Sequence, residues 1–186
     1  DGKGHFTDAT QAAGVGDTLW SYGVSAADFD GDSDLDLYVT NRGPNRLYRN
    51  DGRGHFEDVA ATAGVALDEW STGSVFFDYD LDGDLDLYVV NYRTFTIRDQ
   101  PGIKLRGSTI DGKPEVVSVN GISLEAADSV GRFTLKTNGK IIENGQADRL
   151  YLNDGRGNFT PVPFTAGAFL DEDGRHLAKP PYDWGL

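Results

Sequence analysis

The chain repeats itself at a spacing of 50 residues, and this repetition constrains its fold more than any other property of the sequence. D-G-K-G-H-F-T-D at Asp1 to Asp8 returns as D-G-R-G-H-F-E-D at Asp51 to Asp58, A-G-V at Ala13 to Val15 returns at Ala63 to Val65, and Trp20 returns as Trp70. D-F-D-G-D-S-D-L-D (Asp28 to Asp36) returns as D-Y-D-L-D-G-D-L-D (Asp78 to Asp86), with L-D-L-Y-V overlapping the end of each. A unit repeated at this spacing cannot bury its apolar face alone and must stack on its neighbours, which points to solenoids, propellers or arrays.

Each copy reads as four short strands. G-S-V-F-F-D-Y (Gly73 to Tyr79) enters the aspartate loop and L-D-L-Y-V-V-N (Leu85 to Asn91) leaves it, while R-L-Y-R-N (Arg46 to Asn50) and G-H-F-E-D-V (Gly54 to Val59) complete the set. Asn50-Asp51-Gly52 is expected to be a hairpin turn, since these residues tolerate positive φ. Four strands in 40 to 50 residues match a propeller blade. A third copy, D-R-L-Y-L-N-D-G-R-G-N-F (Asp148 to Phe159), matches N-R-L-Y-R-N-D-G-R-G-H-F (Asn45 to Phe56) at an offset of 103. One period of 50 leaves an insertion of 53 residues between Tyr92 and Ala147. Within it, Asn120-Gly121 and Asn138-Gly139 lie between β-prone runs and predict two hairpins, with Arg93 to Gly107 as loop. The expected organisation is blades over 1–92, a β-hairpin insertion over 93–147, and over 148–186 the rest of the second blade and the start of the next. There Ala166-Gly167 corresponds to Ala63-Gly64, Trp184-Gly185 echoes the Trp70 region, and Asp171, Asp173 and Gly174 read as a turn. The predicted class is all-β: four-stranded antiparallel blades forming a partial propeller.

Five aspartates in nine residues, with no Lys or Arg between them, would repel one another in any compact structure unless a cation sat among them. Asp78, Asp80 and Asp82 stand at the positions 1, 3 and 5 that supply carboxylate oxygens in calcium loops, and Gly83 suits the sharp turn at position 6. Asp84 would give its backbone carbonyl and Asp86 would close the shell. Asp28, Asp30, Asp32, Asp34 and Asp36 repeat the arrangement, with Ser33 in place of the turn glycine. An EF-hand would end on Glu at position 12 and be flanked by helices, whereas these loops run into apolar β-prone segments. Calcium is favoured over magnesium, which keeps waters and takes few carboxylates. Two calcium sites are expected, the second tighter because Ser33 would be strained at positive φ.

The net charge of -13 is mostly this one feature. The loops hold ten of the 30 acidic residues, and elsewhere 17 basic residues face 20 acidic ones. The acidity is therefore local, and with no basic face nucleic acid is excluded as a partner. There is no cysteine, so neither disulfides nor thiolate chemistry is available. No apolar run reaches the length of a membrane span. A first residue Asp1 and the lack of any Met suggest a piece of a longer protein whose targeting segment lies elsewhere.

D-F-D-G-D-S-D-L-D-L-Y-V-T-N, N-R-L-Y-R-N-D-G-R-G-H-F and A-G-V with its following Trp together resemble the FG-GAP/VCBS repeat proteins, in particular the branch with ASPIC/UnbV-type domains that includes cartilage acidic protein. The resemblance covers Asp1 to Asn91 and Asp148 to about Gly167, and leaves out the insertion. It implies a β-propeller like the integrin α-subunit head, with Ca²⁺ between the first two strands of a blade. Asp28, Asp30, Asp32 and Asp36, and Asp78, Asp80, Asp82 and Asp86, match that family's side-chain ligands, and Asp34 and Asp84 its backbone ligand. Ser33 departs from the usual Gly, and the blades are too few for a closed ring.

Other chemistry has weaker support. Glu57 could serve as a glycosidase acid, but its repeat equivalent is Thr7 and no partner carboxylate can be named. His5 and His55 are repeat equivalents at a turn, which suggests packing, and His176 has no identifiable partner. D-G-R-G-H-F lacks the strand-loop-helix context of a phosphate cradle. Trp20 and Trp70 could stack on sugars, but their equivalence favours inter-blade core. Two functions follow: an extracellular, secreted calcium-binding module for protein or glycan binding, adhesion or assembly, and a fragment of a propeller-based polysaccharide-degrading enzyme. The first is favoured, because repetition leaves no unique acid, base or nucleophile. Its expected partners are further blades of the same protein or other copies, since Phe76, Phe77, Tyr88 and Val90 would otherwise lie unsheltered.

Overall fold

The fold was obtained as a computed structural model, and the structure describes residues 2–92, 102, 104–119, 121–123, 133–135, 141–164, 169–170 and 173–177. In chain order the elements are α1 (Thr10–Ala13), β1 (Trp20–Ala27), β2 (Asp36–Pro44), β3 (Arg46–Asn50), β4 (Phe56–Asp58), α2 (Ala60–Ala63), β5 (Asp68–Phe77) and β6 (Asp86–Asn91). They continue with β7 (Leu105–Ile110), β8 (Lys113–Val119), β9 (Ile122–Ser123), β10 (Phe133–Leu135), β11 (Ile141–Glu143), β12 (Arg149–Asn153) and β13 (Phe159–Pro161). The chain forms two compact units: residues 1–89 with 150–161, and residues 90–149 with 162–186.

The first unit carries most of a curled, open antiparallel sheet of eight strands in the order β13-β12-β6-β5-β2-β3-β4, with β1 paired to β2. It divides into two four-stranded blades. The first is β1 to β4, in antiparallel register from Ala27↔Asp36 through Leu37↔Tyr48 to Tyr48↔Asp58. The second is β5, β6, β12 and β13, so the third sequence copy does supply the outer half of the second blade. Three residue pairs, Arg42↔Trp70, Gly43↔Glu69 and Pro44↔Asp68, join the blades.

Alternation along the strands explains the core. Tyr38, Leu47, Leu87 and Val89 are fully enclosed, and Phe29, Val65, Tyr151 and Phe159 pack with them. Burying each such side chain stabilises the fold by about 1.5–3 kcal/mol. The polar members are paired: Asn45 Nδ2 donates to Ser71 Oγ at 2.8 Å and Tyr38 Oη at 3.1 Å, and the tyrosine hydroxyl donates to the Val65 carbonyl at 2.9 Å.

The sequence reading lacked the two helical turns. The shared A-G-V marks their ends: α1 and α2 each end on a glycine with φ near 80°, Gly14 and Gly64. At either position a Cβ would stand under 3.0 Å from a carbonyl oxygen, that of Phe56 or its repeat equivalent Phe159, so close approach as well as handedness requires glycine.

Several expectations are corrected. The hairpin turn expected at Asn50-Asp51-Gly52 is present, with Gly52 at positive φ, but it extends over the five residues between the paired Asn50 and Phe56. The loop is closed by Asp51, whose Oδ1 accepts from the N–H groups of Arg53 and His55. His5 and His55 are exposed rather than packed. Trp20 is 67% exposed instead of forming inter-blade core: Tyr22, not Trp20, meets Trp70 of β5, with ring centres 5.6 Å apart, and the Trp20 ring faces the Arg42 guanidinium at 5.6 Å. Phe76, Phe77, Tyr88 and Val90 are half-buried, Phe76 meeting Tyr38 edge-on, and the exposed apolar side chains of the first unit include instead Phe6, with Trp20, Tyr22 and Val24 on β1, and Leu35, Val75 and Leu81.

The second unit holds a five-stranded sheet, β11-β10-β8-β7 with β9 on β8. Val119 pairs with Ile122 in a hairpin whose Gly121 has a positive φ, while Asn120 lies outside the described residues. Leu135 pairs with Ile141 around Asn138-Gly139, which itself lies outside the described residues. A hairpin the sequence reading passed over turns at Asp111-Gly112, both at positive φ, and its strand β7 occupies Leu105 to Gly107, where loop was expected. Ala166-Gly167, Trp184-Gly185 and Asp171 fall outside the described residues. Asp173 and Gly174 do lie at a turn, between the paired Leu170 and His176.

The insertion leaves and rejoins the blade at one point. The Asn91 N–H donates to Asp148 Oδ1 at 2.8 Å, Asn91 Nδ2 to the Ala147 carbonyl at 2.9 Å, and the Gln146 N–H to the Tyr92 carbonyl at 2.9 Å. The first blade makes the same clamp across three residues: the Asn41 N–H donates to Asn45 Oδ1 and Asn41 Nδ2 to the Pro44 carbonyl. Replacing residues 92–147 with Arg-Gly-Pro, the link of the first blade, is therefore expected to leave a folded chain with a cooperative melt. Calorimetry showing no melting transition would establish the insertion as part of the core.

Candidate metal centre

Both aspartate loops link the first two strands of a blade, β1 to β2 and β5 to β6. Their backbone is wound around the first aspartate. Asp28 Oδ1 accepts from the N–H of Gly31 at 2.8 Å and Asp32 at 3.1 Å, and its Oδ2 from Ser33 at 2.9 Å. Asp78 accepts from Asp82 and Gly83, both at 3.2 Å. Asp32 and Asp82 each accept from the N–H two residues on, at 3.0 Å.

The last aspartate of each loop is buried and ties it to the third strand of its blade. Asp36 Oδ2 accepts from the Phe29 N–H at 3.2 Å and Oδ1 from Asn50 at 2.8 Å. Asp86 accepts from Tyr79 and Asn153, both at 2.9 Å. The two asparagines in turn donate from Nδ2 to the Leu35 and Leu85 carbonyls. Asn50 and Asn153 were missing from the expected site, although the recurring N-D-G-R-G was their signal.

In the first loop oxygens of Asp28, Asp30 and Asp32 lie within 4.8 Å of one another; in the second, those of Asp78, Asp80 and Asp86 do. Neither Asp36 nor Asp82 joins its loop's group. Asp34 and Asp84 turn their carboxylates away, over the backbones of Gly52 and Gly155. Oxygens 2.3–2.6 Å from a shared Ca²⁺ can stand up to about 5 Å apart, so each trio fits one ion. An orphaned atom agrees: Asp30 Oδ1 is buried with no hydrogen-bond partner among the described residues. A donor set made wholly of oxygen suits a hard cation.

Proton affinities reflect the crowding. Burial pushes Asp36 up to about 6, against the N–H bonds from Asn50 and Phe29 that favour its charged form. Asp30 is raised by burial and then by Asp32, and Asp80 by desolvation and then by Asp82.

Ser33 does adopt the left-handed conformation, at φ 74°, but Leu81 does so as well, at φ 63°, where the first loop has Gly31. Each loop thus carries one strained non-glycine residue, and the expected ranking of the two sites loses its basis.

Residues 1–39 and 28–89 match the model of the FG-GAP-like repeat, so an FG-GAP-like repeat covers this part of the chain. No curated protein gives a significant match to the sequence. Because a non-glycine residue in the left-handed region costs on the order of 1 kcal/mol, Ser33→Gly and Leu81→Gly should each tighten calcium binding at their own loop by roughly fivefold. Isothermal titration with two resolved sites checks this, and unchanged affinities in both variants would show that the loops bind without needing that geometry.

Proposed function

We propose that this repeat module binds Ca²⁺ in both aspartate loops and acts outside the cell as a binding or assembly unit, presenting a surface rather than performing catalysis. The observation that carries the proposal is the gathering of three carboxylates in each of two repeat-related loops, the first two of each trio at equivalent positions, and one loop with a buried oxygen lacking any hydrogen-bond partner among the described residues. Asp28, Asp30 and Asp32 would hold one ion and Asp78, Asp80 and Asp86 the other, with Asp34 and Asp84 supplying carbonyls. Bound calcium would supply the positive charge that offsets carboxylate repulsion. Asp36 and Asp86 fix each loop to the blade through backbone N–H groups.

Extracellular sites of this kind work at roughly 10⁻⁴ to 10⁻³ M, where calcium outside cells is abundant. No described helix is long and apolar enough to cross a membrane. The exposed Trp20, Tyr22 and Val24 of β1 support a neighbour there, either a further blade of the same protein or another copy. Against a polysaccharide-cleaving role, the Glu57 carboxylate is ion-paired with Arg49 at 2.9 Å.

The test is calorimetry with calcium and with chelator at about pH 5 and pH 7.5. At calcium about 100 times Kd each site adds about 2.7 kcal/mol. Asp30→Asn and Asp80→Asn should each remove one site's share of the rise in melting temperature, and the double variant all of it. Without metal the pH trend runs the other way. Asp36 binds its proton more tightly folded than unfolded, so its contribution is full below the ordinary carboxylate range and is lost as pH rises through about 6. The metal-free chain should melt higher at about pH 5 than at pH 7.5, while calcium stabilises most at pH 7.5. A melting temperature indifferent to calcium at both values overturns the proposal.

A further inference from the structure

A cleft of about 500 Å³, within the range of small-molecule sites, opens beside the first aspartate loop. Its walls include Asp30, Asp32, Arg49, Asp51, His55 and Glu57. Asp30, Arg49 and Glu57 also border a second hollow, of about 210 Å³. We infer that this cleft binds a neutral sugar through its vicinal hydroxyls, an assignment that rests on the calcium reading and gives the module its ligand class.

The internal repeat serves as a control. At the offset of 103, Asn50 and Asp51 correspond to Asn153 and Asp154, so the residues that build the turn are kept. Three other residues that line the cleft are not: Arg49, His55 and Glu57 correspond to Leu152, Asn158 and Thr160. The second blade closes the same strands and loop without them. Folding therefore does not demand the Arg49 and Glu57 pair here, which leaves it available for a role in the cleft.

Charge selects the ligand. With Ca²⁺ in the loop, its two charges and that of Arg49 balance Asp28, Asp30 and Asp32, leaving Asp51 and Glu57 in excess. A uronate, phosphate or sulfate would meet net repulsion, and an organic cation would compete with calcium for the same carboxylates. A polyol has neither difficulty. Glu57 meets Arg49 through Oε2, and its Oε1 makes no hydrogen bond among the described residues. Asp51 commits Oδ1 to the Arg53 and His55 N–H groups. Carboxylate oxygens thus remain to accept from sugar hydroxyls, while Arg49 and the ion take the lone pairs of the same oxygens. Arg49 and Glu57 are about half and two-thirds exposed, so a ligand reaches them without any opening motion.

The experiment presents the whole chain, in about 1 mM calcium, to an array of immobilised mannose, galactose and glucose glycans beside uronate-bearing and sulfated ones. A second chain carries Arg49→Leu and Glu57→Thr, the residues the second blade uses at those positions, so its fold should persist. Capture on neutral glycans is expected, falling by about tenfold or more in the variant and lost on chelation, while titration shows two calcium sites in both chains. Capture on anionic glycans alone, equal capture by the variant, or no capture by a chain that titrates two calcium sites would overturn the inference. A chain that takes up no calcium overturns the parent reading instead, and the titration reports that separately.

Discussion

Two buried carboxylates, Asp36 and Asp86, hold the arrangement together. Each accepts one N–H from its own loop and one from the third strand of its blade. Buried charge without partners would cost several kcal/mol, and these bonds offset only part of that, as the raised proton affinity of Asp36 shows. The remaining imbalance lies in the trio of carboxylates at the mouth of each loop. A divalent ion would correct it, and folding and ion binding would then be parts of one equilibrium.

The same bonds carry the loops into the core. Phe29, between Asp28 and Asp30, is buried against Phe159, and its carbonyl accepts from Asn153 Nδ2 at 2.7 Å. A residue of the first loop is thus anchored by the third strand of the second blade. Truncating such a ring typically costs 3–5 kcal/mol, so what happens at one loop is felt in the packing between blades. The insertion between Tyr92 and Gln146 leaves this intact because its ends are clamped by Asn91 and Asp148, as Asn41 and Asn45 clamp a link of three residues.

Much of this was legible in the sequence, because repetition and aspartate spacing act locally: L-D-L-Y-V leads into a strand in both copies, and alternate aspartates bring three carboxylates together in each loop. Properties set by neighbours were not. Trp20 and Trp70 are equivalent in sequence, yet Trp20 is mostly exposed while Trp70 is half-buried against Tyr22. Leu81 gives no sign in its residue type of a left-handed backbone, which the winding of the loop around Asp78 imposes. Glu57 had no nameable partner until strand register placed Arg49 opposite it. The helical turns at α1 and α2 are four residues each, too short for any periodicity to reveal, and only their closing glycines mark them.

The central claim is that each loop holds one calcium ion on its three gathered carboxylates. Diffraction from crystals grown in calcium, recorded where calcium scatters anomalously, tests this directly. The account predicts two peaks, one within coordination distance of Asp28, Asp30 and Asp32 and the other of Asp78, Asp80 and Asp86. Ordered loops with no anomalous peak in either, at calcium well above 10⁻³ M, would contradict it.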